Sequence, residues 1–159
     1  MTRPTWLDPL VGHELRDALE VDVHFASEAP LTSGDLVLET DRGWYQLLSV
    51  ASERGLRSMR TPSDVKLIGD WSDRTGIVLR STRAVETPFR VGRVDYAQRA
   101  GGTSGRETIG AWLLDDRLAV RVAVLLDLED VEMASPERLW SHLAQIAHAE
   151  RTVVLFGPK

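Results

Sequence analysis

Apolar and polar residues alternate with period two through most of the chain, as in strands that face a core on one side. In "GDLVLETDRGWYQLLSVASERGLRSMR" the pattern predicts strands at 35–40, 44–51 and 56–60, joined by tight turns at Asp41-Arg42-Gly43 and Glu53-Arg54-Gly55. Gly-ended turns between β-rich runs are a strong hairpin signal. Short strands are also predicted at 21–25, 65–69, 76–82 and 89–96, with Pro62, Gly76 and Pro88 as punctuation. A further hairpin is expected around Asp115-Asp116, and its second arm, 117–127, is apolar enough for a central strand.

Helical spacing occurs twice. Trp6, Leu10, Val11, Leu15 and Leu19 predict a short helix centred on 10–19, with Pro9 and Gly12 weakening its first half. In "SPERLWSHLAQIAHAER", Ser135 is placed to cap, Pro136 suits the first helical position, and Leu139, Leu143 and Ile146 form one stripe flanked by Trp140 and Ala147. The apolar run at 152–156 then reads as a buried terminal strand. A strand at 117–127, a helix and a strand predict one right-handed crossover. No internal repeat, linker or low-complexity segment is legible. The expected fold is one α+β domain over residues 1–159. It is a mostly antiparallel curved sheet or small open β-barrel, with an N-terminal helix, a C-terminal helix and a terminal β-α-β crossover.

Composition narrows the class. A chain of 159 residues, 43% hydrophobic and 27% charged, fits a soluble globular domain, and no apolar run is long enough for a membrane span. The first residues show no apolar leader behind a basic start, and there are no cysteines, so the cytoplasm is the expected address. The absence of cysteine excludes disulfides, thiol catalysis and thiolate metal sites. The net charge of −5 is unevenly spread: 53–106 hold 11 basic and 6 acidic residues, while both flanking segments are acidic. A basic middle of this kind is either an anion-binding surface or a segment whose charges interleave with the rest on folding.

The stretch "RAGGTSGRETIGAW" invites comparison with phosphate cradles and fails it. Gly105 is followed by Arg106-Glu107 and a β-like run, not by Lys-Ser/Thr and a helix. Ser104 has Gly102 before it but no glycine two residues after, so it is not a hydrolase elbow. Gly101, Gly102, Thr103, Ser104, Gly105 and Arg106 are expected to form a hairpin loop that could order on a partner. His142 and His148 stand six apart on a helix and cannot share a metal. Asp22 and His24 could ligate through one strand face, but nothing nominates a third ligand. The acidic run Asp127, Glu129, Asp130 and Glu132 lacks the glycine and closing glutamate of a calcium loop.

The arginines of the middle segment carry the remaining chemistry. If their strands adjoin, Arg57, Arg60, Arg80 and Arg83 would present guanidinium groups to an anionic ligand from one sheet face. Arg57 and Arg60, with Asp70, Ser72 and Gly76 of "DWSDRTG", resemble the motifs of PilZ domains, small β-barrels that bind a cyclic dinucleotide. The arginines stand three apart where the family's stand four, and the glycine follows the serine by four where the family's follows by three, so no family is assigned. Aromatic residues are 6% of the chain, too few for a general base-stacking sheet. The five tryptophans are spread one per element, as core anchors, with one or two available as interface hot spots. The sequence therefore leads to a small, acidic, non-enzymatic protein that needs no cofactor or metal and whose partner is another protein. That partner role would be that of an inhibitor, an immunity-like factor, an adaptor or an assembly component. The alternatives are an anion-binding module that uses the arginine face, and an enzyme assembled from distant residues. Homodimerisation by edge pairing is allowed by an open sheet but not specifically indicated.

Overall fold

A computed structural model describes residues 4–49, 55–69, 71–101, 105–126, 130–149 and 153–156. Ten strands and one α-helix follow one another in the order β1 (Glu14–Phe25), β2 (Leu31–Thr40), β3 (Gly43–Leu48), β4 (Gly55–Met59), β5 (Arg74–Ser81), β6 (Phe89–Gly101), β7 (Gly105–Asp115), β8 (Val120–Leu126), β9 (Val131–Ala134), α1 (Pro136–Ala149) and β10 (Val153–Phe156). All the pairings are antiparallel. They build two five-stranded halves, β4-β3-β2-β1-β5 (sheet A) and β9-β8-β7-β6-β10 (sheet B), joined where β1 meets β6.

The inner faces of both halves share one core. Leu15, Ala18, Leu36, Leu38 and Leu47 of sheet A pack with Val91, Val94, Tyr96, Leu113, Val124 and Met133 of sheet B. Each outer face has its own smaller cluster. On sheet B, Leu139 and Leu143 of α1 cover Ala97, Ile109, Trp112, Leu114, Ala123 and Leu125. On sheet A, Val65 and Leu67 of the segment after β4 pack with Val21, Val37 and Met59. The start of the chain is pinned to the core by Tyr96, whose hydroxyl accepts from Leu7 N (2.9 Å) and donates to Asp8 Oδ1 (2.7 Å).

The two halves are equivalent strand for strand. Leu15 and Val91, 76 residues apart, each precede a bulge. Leu38 pairs with Tyr45 as Leu113 pairs with Val122, and Leu47 pairs with Leu56 as Val124 pairs with Met133. Val23 pairs with Ile77 as Arg99 pairs with Val153. The junction obeys the same relation. Glu14 faces Arg90, its own counterpart, with Leu15 opposite Phe89 on one side and Val91 N bonded to His13 O (2.9 Å) on the other. The halves are thus related by a pseudo-two-fold axis between Glu14 and Arg90.

Three sequence expectations need correction. Residues 14–19 lie in β1, and before them Asp8–Leu10 form a single helical turn, of 3-10 type. A bulge at Arg16 adds a residue to the strand, so Leu15 and Ala18 face the same core three positions apart and imitate helical spacing. Residues 65–69 are not a strand, because Lys66 N and O bond to the side-chain amide of Gln46 (2.9 and 2.7 Å) and not to a neighbouring backbone. The strand before α1 is β9, not 117–127. β9 runs antiparallel to β8 and β10 antiparallel to β6, so β9 and β10 point the same way and α1 crosses over the strands between them.

The antiparallel order β2-β3-β4 with its turn at 41–43, the hairpin at Asp115-Asp116 and the C-terminal helix match the sequence pattern, while residues 50–54, with Glu53 and Arg54 of the second expected turn, lie outside the described residues. Thr40 Oγ1 donates to Gly43 O (2.8 Å) in the first turn, where Gly43 takes φ +122°. In the second turn, Asp115 Oδ1 accepts from Arg117 N (2.9 Å) and Ala119 N (3.0 Å). These bonds hold its carboxyl below the usual range, the one from Ala119 contributing most.

Candidate functional site

The four arginines expected to form one face are not brought together. Arg57 lies on β4 and Arg80 on β5, the two opposite edges of sheet A and four strand steps apart, or about 19 Å at ~4.8 Å per step. They also point to opposite faces. Arg57 reaches the outer face, where it donates to Asp64 O (2.7 Å) and Gln46 Oε1 (3.3 Å). Arg80 pairs with Asp22 (3.1 Å) and Glu20, and both contacts raise its pKa, the hydrogen bond to Asp22 first. Arg60 and Arg83 are exposed residues that follow these strands; Arg83 adopts φ +57°. Arg90 donates to Gly12 O, and Arg93 grips Asp95 with two bonds of 2.8 Å.

The glycine stretch is the end of the β6–β7 hairpin. Gly101 pairs with Gly105 and Ala100 with Arg106, while Gly102, Thr103 and Ser104 lie outside the described residues. Asp22 is committed to Arg80, and among the described residues no group of three or more His, Asp or Glu is arranged to hold a metal. His13 Nδ1 comes within 3.7 Å of Asp41 Oδ1, beyond hydrogen-bond reach. Asp41 is itself held below the usual carboxylate range, chiefly by accepting from Glu14 N. No helix among the described residues is long and apolar enough to cross a membrane.

A hollow of about 350 Å³ opens where residues 83–89, β8 and the start of α1 meet. Its central side chain, Arg121, is occupied structurally. It bonds to Thr87 Oγ1 (2.5 Å) and Asp115 Oδ2 (3.3 Å), and its guanidinium lies 4.9 Å from the centre of the Phe89 ring.

The surface that stands out is apolar and sits on β5. Among the described residues this strand pairs with β1 alone, and none of its eight residues is buried. Ile77 is 36% and Val78 48% exposed, and Leu31, 51% exposed, lies on β2, which flanks β1 on its other side. Register places Leu79 opposite Val21 and Ile77 opposite Val23, so Leu79 and Ile77 face outward with the outer-face cluster. Beside them a groove of about 420 Å³ runs between β5 and the segment after β4, lined by Pro62, Ser63, Val65, Ile77 and Leu79. The far wall of the groove is fixed by a buried polar clamp. Asp35 Oδ1 accepts from Ser49 N (2.8 Å) and Ser49 Oγ (2.7 Å), and Asp35 Oδ2 accepts from Gln46 Nε2 (2.8 Å). Gln46 in turn holds Lys66 N and O.

Sequence reasoning missed this surface, because a half-buried strand and an exposed one share the same alternation. Among the tryptophans, the structure separates Trp112, buried under α1, from Trp140, 55% exposed and packed against it with ring centres 4.5 Å apart and planes tilted by 33°. In comparison with known proteins, the chain matches no protein-family model, no curated protein and no solved structure.

Proposed function

We propose that the protein acts by binding another protein, and that β5 with its adjoining groove is the contact surface. The observation that carries this reading is the eight-residue edge strand that leaves Ile77 and Val78 in water beside an apolar groove. Soluble proteins blunt or cover such edges, because an unpaired apolar strand is a template for association. The Gln46 clamp supports the reading as well, since it holds the groove wall in place before any partner arrives and so lowers the ordering cost of binding. The anion-binding alternative has less support, because Arg57 and Arg80 sit on opposite edges and faces of sheet A and are both engaged within the chain.

A photo-reactive phenylalanine analogue at position 77, on the groove wall, tests the reading in cells of the protein's own host. The expected outcome is a cross-linked adduct heavier by the mass of one polypeptide. The same analogue at the exposed Glu137 on α1 serves as the control and should give none. Equal adducts at both positions, or none at 77, would refute the assignment.

A further inference from the structure

The two halves are equivalent, but the covers on their outer faces are not. On sheet B, the eighteen residues between β9 and β10 are enough for α1, and the sheet beneath is small at three adjoining positions among larger apolar side chains. Gly110, Ala123 and Ala134 lie on its outer face, and a Cβ on Gly110 would stand 2.7 Å from Leu139 Cδ1. The register positions of sheet A that match these three are Asp35, Gln46 and Arg57. Polar side chains stand at these positions, and two of them hold the connection: Gln46 bonds Lys66 N and O, and Arg57 bonds Asp64 O at the end of a 3-10 turn over Pro62–Asp64. The connection is also shorter, fourteen residues from Arg60 to Asp73, and its helical part is the single 3-10 turn Pro62–Asp64.

This substitute cover reaches Leu79 of β5 and leaves Ile77 open. Ile77 and Leu79 correspond in register to Val153 and Leu155 of β10, and β10 is one of the strands that α1 packs across on sheet B. On sheet A the same positions form the open wall of the groove. The chain therefore contains its own example of what covers this face: a short amphipathic helix anchored by two leucines one turn apart, Leu139 and Leu143.

We propose that the groove lined by Pro62, Ser63, Val65, Ile77 and Leu79 receives an amphipathic helix of the partner protein, which completes on sheet A the cover that α1 provides on sheet B. The proposal rests on the protein-binding reading and names its occupant. The ligand carries large apolar residues at i and i+4, or i+3 and i+7, on one face, and is polar on the other. A volume of about 420 Å³ lies within the ~300–1,000 Å³ range of binding sites and suits the tips of two such side chains. Strand addition, the competing mode, would use the free backbone edge of β5 and side chains on both of its faces, whereas the groove lies on one face only.

A display library of random sixteen-residue peptides, panned on the intact protein, separates the two modes. Enriched peptides are expected to show apolar spacing of three and four. They should lose at least about tenfold in affinity (~1.4 kcal/mol) on Ile77→Asp and keep it on Val78→Asp, which alters the other face of β5. Amide spectra of the variants check that both remain folded, with Ile77→Ser as the milder substitute if Ile77→Asp does not. Peptides alternating with period two and weakened by both changes would overturn the helical occupant while leaving protein binding intact. Failure to enrich any peptide sensitive to either change would overturn both.

Discussion

Replacing Gln46 with alanine tests whether the groove wall is held by the polar clamp. The side chain is fully buried. It makes three bonds of good geometry, to Lys66 N (2.9 Å), Lys66 O (2.7 Å) and Asp35 Oδ2 (2.8 Å), and a fourth, longer one from Arg57. A buried hydrogen bond contributes about 1 kcal/mol net, and a partner left unsatisfied in the interior costs ~1–3 kcal/mol. Three bonds lost together give about 3 kcal/mol, with part of the stranded polarity at Lys66 relieved by water. At ~2–4 °C per kcal/mol for a chain of this size, Tm should fall by about 6–12 °C. Urea denaturation followed by circular dichroism measures the loss, and hydrogen exchange at the Lys66 amide reports whether the segment has come free. If the stability changed by less than ~0.5 kcal/mol and Lys66 exchanged no faster, the clamp would be an incidental contact and the wall would owe its position to Val65 and Leu67.

Three other outcomes follow from the structure. Leu139→Ala removes the fully buried anchor of α1 and should cost about 2–4 kcal/mol in urea denaturation, as large-to-small core changes do; a loss below ~1 kcal/mol would mean the helix is not docked on sheet B. Gly110→Ala places a methyl 2.6 Å from Val124 O and 2.7 Å from Leu139 Cδ1, and because the first is backbone the change should destabilise by ~1–3 kcal/mol, whereas an unaltered thermal melt would disprove the close approach. Asp41 and Asp115 have pKa values lowered by folding, so the stability they add is complete above the ordinary value of 3.8 and is lost as pH falls through the folded value; Asp115→Asn should therefore narrow the gap between Tm at pH 6 and at pH 3, and an unchanged gap would contradict that linkage.

How much of this was legible in the sequence depends on where the information lies. The β2–β4 meander and the β7–β8 hairpin were written in local turn chemistry, the carboxylate and glycine residues at 41–43 and 115–116. The C-terminal helix was written in the spacing of Leu139 and Leu143. β1 misled because a bulge is a local insertion that shifts the period without changing composition. The internal repeat was hidden for the same reason: its halves keep apolar character (Leu15 and Val91, Leu47 and Val124) but little identity, and the offset between them slips at each bulge. The groove could not be read at all, since it is defined by what leaves Ile77 open and Leu79 half-buried. That depends on the length of a connection and on the side chain of Gln46, twenty residues from the backbone it holds.

The contact between β1 and β6 also bears on how the two halves recognise each other. A free copy of either half would present the same edge, and two identical copies could dock there about a true two-fold axis. The residue on that axis meets its own counterpart. Two first halves would set Glu14 against Glu14, and two second halves would set Arg90 against Arg90, a like-charge pair opposed across a ladder in both cases. Only the mixed pairing puts opposite charges face to face. With both halves in one chain, Glu14 bonds to Arg16 and Arg90 to Gly12 O, so the axial position works against self-pairing of either half by placing like charges together and not through a salt bridge of its own.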